Sequence, residues 1–220
     1  MYSYTYVSFS ATNKNKNFVN LSSLYQCGQD NSGPNSIFHY YGNKTLISTN
    51  ITKTRCYSSA GYHFCYNLVN INFCCFISND NHESDSVCMY HDYTRDSFVK
   101  KSIFKNNSAK IDDSSSGLLT SSLSSNVTVS ECVFLQNTAN YVFSAYENSI
   151  LTVINCTGDN LTASSSGEVK TDQMKTDSFS ITFTHISLGE CEAEDPFSFE
   201  PSILVSQTSN FKFLRIYRRR

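Results

Sequence analysis

The sequence repeats one pattern of apolar and polar positions around a small residue. This small residue recurs at spacings of 28, 30, 24 and 28 residues, at Cys74, Ser102, Cys132, Cys156 and Thr184. Three positions before it stands a row of β-branched residues: Ile71, Val99, Val129, Val153 and Ile181. A fixed offset between similar segments is typical of stacked structural repeats.

The positions around the small residue alternate as they would along two short strands. The apolar side chains five positions before it include Val69, Val127 and Leu151, and those two positions after it are Phe76, Phe104 and Phe134. Residues two apart share one face of a strand, so each pair of columns forms an apolar face. The odd step between the two pairs predicts a bend.

These apolar faces are too short to be shielded alone, but turns stacked about 4.8 Å apart would bury each column as an internal ladder. Each buried Phe or Ile then contributes about 1.5 to 3 kcal/mol. We therefore predict an all-β right-handed parallel β-helix of about five to seven coils. Residues 46–220 are expected to form the coils, and residues 1–45 an N-terminal cap or irregular first coils.

Two further columns suggest specific structural roles. Asn79, Asn107 and Asn137 stand five positions after the small residue. Because Asn tolerates left-handed backbone and its amide can bond the same group one turn above and below, we predict a stacked Asn ladder at a corner. Cys74, Cys132 and Cys156 are predicted to be buried small hydrophobes, with disulfide, metal or nucleophile roles as the alternatives.

The segments Phe104-Lys105-Asn106-Asn107-Ser108-Ala109 and Phe134-Leu135-Gln136-Asn137-Thr138-Ala139 share the element Phe-x-x-Asn-x-Ala. This element resembles the repeats of polymorphic outer-membrane proteins, which occur on the surfaces of bacteria and some protists. Phe76-Ile77-Ser78-Asn79 is a third, shorter copy, and the likeness covers roughly residues 50–190. The resemblance implies a β-helical surface protein or adhesin-like passenger.

Composition agrees with this class and excludes others. The formal charge of −2 provides no basic excess, so nucleic acid is not an expected partner. Ser, Asn and Thr are plentiful, which disfavours long helices, while an aromatic content of 14% suits pleated sheets. Aromatic and polar residues alternate along the N-terminus, which is typical of a strand and not of a signal peptide. No apolar run approaches the roughly 18 residues of a membrane span.

Seven Asn-x-Ser/Thr sequons are candidate N-glycosylation sites: Asn20, Asn43, Asn50, Asn106, Asn126, Asn155 and Asn160. Such a density suits a secreted or surface protein of a eukaryote. The alternative is that a chain rich in Asn, Ser and Thr forms sequons by chance.

A search for chemistry yields only isolated candidates. Three sets of acidic residues are candidates for the carboxylate pair of a glycosidase, namely Asp112 with Asp113, Asp92 with Asp96, and the loop of Asp80, Glu83 and Asp85. All are interpreted as solvated loop carboxylates. His82-Glu83 and His91-Asp92 match no known metal-loop spacing and are interpreted as loop residues, so no metal, cofactor or catalytic residue is predicted.

The leading hypothesis is a non-enzymatic β-helix, extracellular or displayed on the cell surface, that serves adhesion or recognition. Its expected partners are host or cell-surface glycans or proteins. The alternatives are a carbohydrate-active enzyme of pectate-lyase-like fold and a non-functional gene fragment.

Overall fold

The fold is built from short strands joined by tight corners. The computed structural model describes residues 7–9, 15–26, 35–56, 59–81, 86–109, 117–164 and 167–174. In this part of the chain the regular elements are all strands, and none is a helix that could span a membrane. The strands are β1 (Val7–Phe9), β2 (Lys16–Asn20), β3 (Ser23–Tyr25), β4 (Asn35–His39), β5 (Asn43–Ile47), β6 (Asn50–Thr52), β7 (Arg55–Cys56), β8 (Ser59–Asn67), β9 (Val69–Asn72), β10 (Cys75–Ile77), β11 (Asp80–Asn81), β12 (Ser86–Thr94), β13 (Ser97–Lys100), β14 (Ile103–Lys105), β15 (Gly117–Ser122), β16 (Asn126–Ser130), β17 (Val133–Leu135), β18 (Tyr141–Ala145), β19 (Ile150–Ile154), β20 (Thr157–Gly158) and β21 (Glu168–Asp172).

The chain visits three long sheets in turn, and all strand pairs within them are parallel. Sheet 1 has the order β1-β4-β8-β12-β15-β18, sheet 2 the order β2-β5-β9-β13-β16-β19-β21, and sheet 3 the order β3-β6-β10-β14-β17-β20. A short pair, β7 with β11, follows sheet 3. The predicted all-β parallel solenoid is therefore confirmed. Its right-handed winding and its number of coils stay predictions.

The first strands join the same sheets as the later ones. Strand β2 pairs with β5, which pairs with β9, and β4 pairs with β8. The described strands before residue 46 thus continue the stack, while the boundary at residue 45 stays a prediction.

The β-branched row of sheet 2 lies inside the solenoid. Ile71 is paired with Val99, Val99 with Val129, and Val129 with Val153, and all four are fully buried. Leu46 continues the row at one end, and Thr171 follows Val153 at the other. Ile181 lies outside the described residues. Because side chains alternate across each strand, this row and its neighbours supply a continuous dry core.

The bend between sheets 2 and 3 is made by one residue per turn in left-handed backbone geometry. These residues are Leu21, Ser48, Phe73, Lys101, Glu131, Asn155 and, after the last strand of sheet 2, Gln173, with φ between 47° and 56°. Such a φ costs a non-glycine residue about 1 to 2 kcal/mol. The stack offsets this cost because amides here still bond the next turn; the Lys101 N–H, for example, donates to the Ser130 carbonyl at 3.1 Å.

Phenylalanines fill the interior against sheet 3. Phe76, Phe104 and Phe134 are fully buried in consecutive strands. Their ring centroids are 5.0 Å and 4.8 Å apart with nearly parallel planes. Phe143 of sheet 1 meets Phe134 edge-on at 4.9 Å, so the two sheets share one core.

Candidate functional site

The asparagine column forms a hydrogen-bonded ladder in the corner after sheet 3. The Asn79 Nδ2 donates to Asn107 Oδ1 at 2.9 Å, and the Asn107 Nδ2 donates to Asn137 Oδ1 at 3.0 Å. Each amide also donates to a main-chain carbonyl, for example Asn107 to Phe76 at 2.9 Å. Thr54 extends the ladder at one end. All three Asn side chains are buried, so this column stabilises the fold and offers little to a ligand.

The backbone reason given for these asparagines is wrong. The left-handed positions at this corner are Lys53, Ser78, Asn106 and Gln136, each one residue before a member of the ladder. The ladder therefore selects Asn for its amide. An amide carries both a donor and an acceptor, and a buried corner needs both.

The cysteine column lies in the interior with Ser102. Cys74, Cys132 and Cys156 are buried free thiols. Burial raises the pKa of Cys74 to about 12, which makes it a poor nucleophile at neutral pH. Neighbouring Cys75 points to the other side of its strand and is disulfide-bonded.

Six of the seven sequon asparagines are exposed, and Asn50 is half-buried. They lie on strand edges and corners of several turns rather than in one patch. Exposure is the physical requirement for attachment of a bulky glycan. The sequons are thus sterically available, and their modification stays a prediction.

A tyrosine ladder runs along the outside of the corner between sheets 1 and 2. The rings of Tyr41 and Tyr66 stack with centroids 5.0 Å apart, and those of Tyr66 and Tyr93 with centroids 5.2 Å apart and planes within 6°. Tyr66 and Tyr93 have positive φ, which turns successive side chains to the same outer side. Stacking of the turns therefore lines these rings up.

Asp92 pairs with Ser122, so the residues that follow them, Tyr93 and Leu123, occupy equivalent positions in successive turns. The ladder therefore ends at Leu123, which stands where a fourth ring would be. A groove of about 540 Å³ opens there, and we call it the tyrosine groove. It is lined by Tyr41, Tyr66, Asn67, Tyr93, Arg95, Leu123 and Ser124. This volume lies within the roughly 300 to 1,000 Å³ of typical small-molecule sites.

The tyrosine groove combines aromatic surface with one cation. Tyr93 keeps 44% of its surface exposed, and Arg95 is exposed beside it. Among the described residues Arg95 forms no ion pair, whereas Arg55 pairs with Asp80 at 3.1 Å. The Arg95 main-chain N–H donates to the Asn67 carbonyl at 3.3 Å, which fixes the backbone at the base of the side chain.

Comparison with known proteins adds no family assignment. No protein-family model, curated protein or solved structure matches this chain. The fold therefore rests on the structure, and the resemblance to polymorphic outer-membrane-protein repeats rests on the Phe-x-x-Asn-x-Ala elements.

The interpretation of His91 and Asp92 as loop residues is wrong, because both lie in β12. His91 points inward, and burial lowers its pKa to about 3, which keeps it neutral. Asp92 points outward and meets the His63 Nε2 at 2.9 Å. Alternating strand geometry places neighbouring residues on opposite faces, so His91 and Asp92 do not form a pair.

The other acidic candidates do not converge on one place. Asp80 pairs with Arg55, and Asp96 stands at a left-handed corner position. Asp112 and Asp113 lie outside the described residues, as do His82, Glu83 and Asp85.

A buried lysine was missed by the sequence analysis. Lys44 lies in the interior row next to Val69, and its Nζ donates to the carbonyls of Cys65 at 2.6 Å and Tyr66 at 2.5 Å. Desolvation lowers its pKa to about 8. The ammonium thus satisfies carbonyls at the corner that carries the tyrosine ladder.

The tyrosine groove was also missed, although its signal was in the sequence. Tyr41, Tyr66 and Tyr93 recur at spacings of 25 and 27 residues, close to the repeat length. They fall between the columns aligned around Cys132. A register for sheet 1 was needed to align them, and its bulges break that register.

Proposed function

We propose that this chain is a non-enzymatic recognition scaffold, secreted or displayed at a cell surface, which binds acidic glycans in the tyrosine groove. The observation that carries the proposal is a tyrosine stack that ends in the exposed ring of Tyr93, beside an exposed arginine that no carboxylate of the described residues pairs with. The solenoid holds these groups on rigid, stacked corners, so little ordering is required when a ligand binds.

The chemistry of the groove fits a sugar ring. The negative face of an aromatic ring attracts the polarised C–H groups on the apolar face of a pyranose, and Tyr93 presents such surface. Asn67 and Ser124 can exchange hydrogen bonds with hydroxyl groups. Arg95 can form a bidentate pair with a carboxylate or sulfate. Together these groups favour an acidic oligosaccharide over a neutral one.

Surface display is supported by two independent features. Six exposed sequons suit a glycosylated protein. The Phe-x-x-Asn-x-Ala elements resemble repeats of surface proteins, and Phe104 and Asn107 of one such element occupy the interior stack and the corner ladder. We accordingly propose kinship with polymorphic outer-membrane-protein repeats and a right-handed winding.

Binding is tested with the full chain on an array of acidic and neutral oligosaccharides, followed by calorimetric titration of the ligands retained. We expect acidic ligands to bind, and Tyr93→Ala and Arg95→Gln each to weaken binding at least about tenfold, or roughly 1.4 kcal/mol. Tyr141→Ala is the matched control because Tyr141 lies outside the groove. Failure of every glycan to bind, or affinities of both groove variants that equal the affinity of the unsubstituted protein, would refute the proposal.

Display is tested on the protein isolated from its native cells. We expect digestion with an N-glycanase to increase its electrophoretic mobility, and intact cells to be labelled by an antibody against the chain. Protein found wholly in the cytosol, with mobility unchanged by the enzyme, would contradict a secreted or surface role.

A further inference from the structure

Three side chains of metal-ligand type converge on the outer side of sheet 1. His63 and Cys65 lie two residues apart on β8 and so share a face, and Asp92 of β12 is paired directly with Cys65. One ligand atom from each residue lies within 4.8 Å of the other two. The cluster is the only one of its kind in the part of the chain that the structure describes.

The contacts have the geometry of a metal site rather than of a catalytic relay. The His63 Nε2 is 2.9 Å from Asp92 Oδ2 and 3.4 Å from Cys65 Sγ, and Sγ is 3.9 Å from Oδ2. In a catalytic Cys-His-Asp relay the thiol and the carboxylate hydrogen-bond to different nitrogens of the imidazole ring. One nitrogen exchanges a proton with the thiol, and the other donates its N–H to the carboxylate. Here a single nitrogen faces both, and three donor atoms surround one point.

The distances also fit a small ion. A tetrahedral centre with bonds of about 2.0 Å to N and O and about 2.3 Å to S separates its ligands by roughly 3.3 to 3.6 Å. The three observed separations differ from these values by less than about 0.5 Å. Small side-chain rotations would therefore bring all three atoms to bonding distance.

Burial provides an independent reason to expect a cation. The side chains of His63 and Asp92 are 15% and 13% exposed, which leaves one side open to solvent. Asp92 Oδ1 is buried and accepts no hydrogen bond among the described residues. A buried carboxylate oxygen without a donor costs free energy, which a bound cation offsets.

We propose that His63, Cys65 and Asp92 bind one Zn²⁺ ion, with the fourth coordination position facing outward. A thiolate, an imidazole and a carboxylate together favour zinc over calcium or magnesium, which prefer oxygen ligands alone. On binding, the Cys65 S–H bond breaks, an S–Zn bond forms, and the proton passes to solvent. Lys44 bonds the Cys65 carbonyl from the interior and so fixes the backbone under the ligand.

The test uses the full chain, reduced and freed of metal by chelation, and titrated with Co²⁺ as a spectroscopic substitute for zinc. We expect one equivalent to bind with a thiolate-to-cobalt charge-transfer absorption and the visible bands of a tetrahedral site, and Zn²⁺ to displace it. Cys65→Ser should abolish the charge-transfer absorption. His63→Gln and Asp92→Asn should each weaken binding at least about tenfold.

Cys132→Ser is the matched control. Cys132 lies in the same interior row as Ser102 and Cys156, so this row already accommodates a serine. It should keep the full cobalt spectrum. Far-UV circular dichroism of each metal-free variant establishes folding, and a Zn²⁺-dependent rise in the melting temperature of the unsubstituted protein gives a second readout. Absorption unchanged in Cys65→Ser, or no cobalt spectrum and no thermal shift in the unsubstituted protein, would overturn the proposal. Glycan binding by the groove is a separate measurement that neither result affects.

Discussion

Replacing Asn107 with Ala should show how much of the stability depends on the corner ladder. The Asn107 amide donates to the Phe76 carbonyl at 2.9 Å and to Asn137 Oδ1 at 3.0 Å. Its Oδ1 accepts from both the main-chain N–H and the Nδ2 of Asn79, at 3.0 Å and 2.9 Å. The side chain is 1% exposed, so water does not replace these bonds without local opening.

The magnitude follows from the partners left behind. Asn137 Oδ1 still accepts from the Asn107 main-chain N–H at 3.0 Å, and Asn79 Nδ2 still donates to the Ile51 carbonyl. The Asn79 N–H and the Phe76 carbonyl lose their side-chain partner. The unsatisfied Asn79 N–H costs about 1 to 3 kcal/mol. The Phe76 carbonyl keeps its place in the ladder between β10 and β14 and loses one hydrogen bond worth about 0.5 to 1.5 kcal/mol, so the predicted loss is about 1.5 to 4.5 kcal/mol. This is a large share of a typical domain stability of about 5 to 15 kcal/mol.

The assay is urea unfolding followed by far-UV circular dichroism and by tyrosine fluorescence, which is convenient because the chain has no Trp. Asn126→Ala is the control, since Asn126 is exposed in a strand and should cost less than about 0.5 kcal/mol. Equal unfolding midpoints for the two variants would refute the role given to the ladder. A change in the slope of the transition would instead show that the stack had lost cooperativity.

Three further predictions concern the core. Burial holds the pKa of His91 near 3, below its ordinary value of about 6.5, so between these pH values the imidazole is protonated in the unfolded chain and neutral in the folded one, and stability is lost as pH falls from about 6.5 towards 3. The urea midpoint of His91→Gln should therefore fall less over this pH range than that of the unsubstituted protein. An equal fall in both proteins would contradict this reasoning. Phe104→Ala removes the middle ring of the stack and should cost about 3 to 5 kcal/mol in urea unfolding, whereas half-buried Phe98→Ala should cost less than half as much. A Cβ at Gly61 would lie 1.9 Å from a main-chain oxygen of the next strand, whereas a Cβ at Gly117 would lie 3.0 Å from a side-chain atom. The melting temperature of Gly61→Ala should therefore be far lower than that of Gly117→Ala. The reverse order would show that the strands can separate at Gly61.

The sequence by itself determined the repeat and the inward columns of sheets 2 and 3. Ile71, Val99 and Val129 could be aligned because each lies at a fixed distance from a small residue, and apolar period-two patterns predict strands directly. Asn107 could be placed in a ladder because Asn79, Asn107 and Asn137 each stand five positions after the small residue of their repeat. These features are local or periodic, and local and periodic information is present in the sequence itself.

Only the tertiary structure decided which residues meet on the outer faces. His63 and Asp92 are 29 residues apart and belong to no aligned column, so their contact depends on the register of β8 against β12. Strand β12 is bulged in its pairing with β15, and a slip of one residue in any of these pairings would turn every outward side chain inward. The tyrosine groove depends on the same kind of information, because it forms at the turn where Leu123, and not an aromatic residue, follows Tyr93 in the ladder. The repeat specifies that turns stack, and the register of each strand pair specifies the chemistry displayed on the outside.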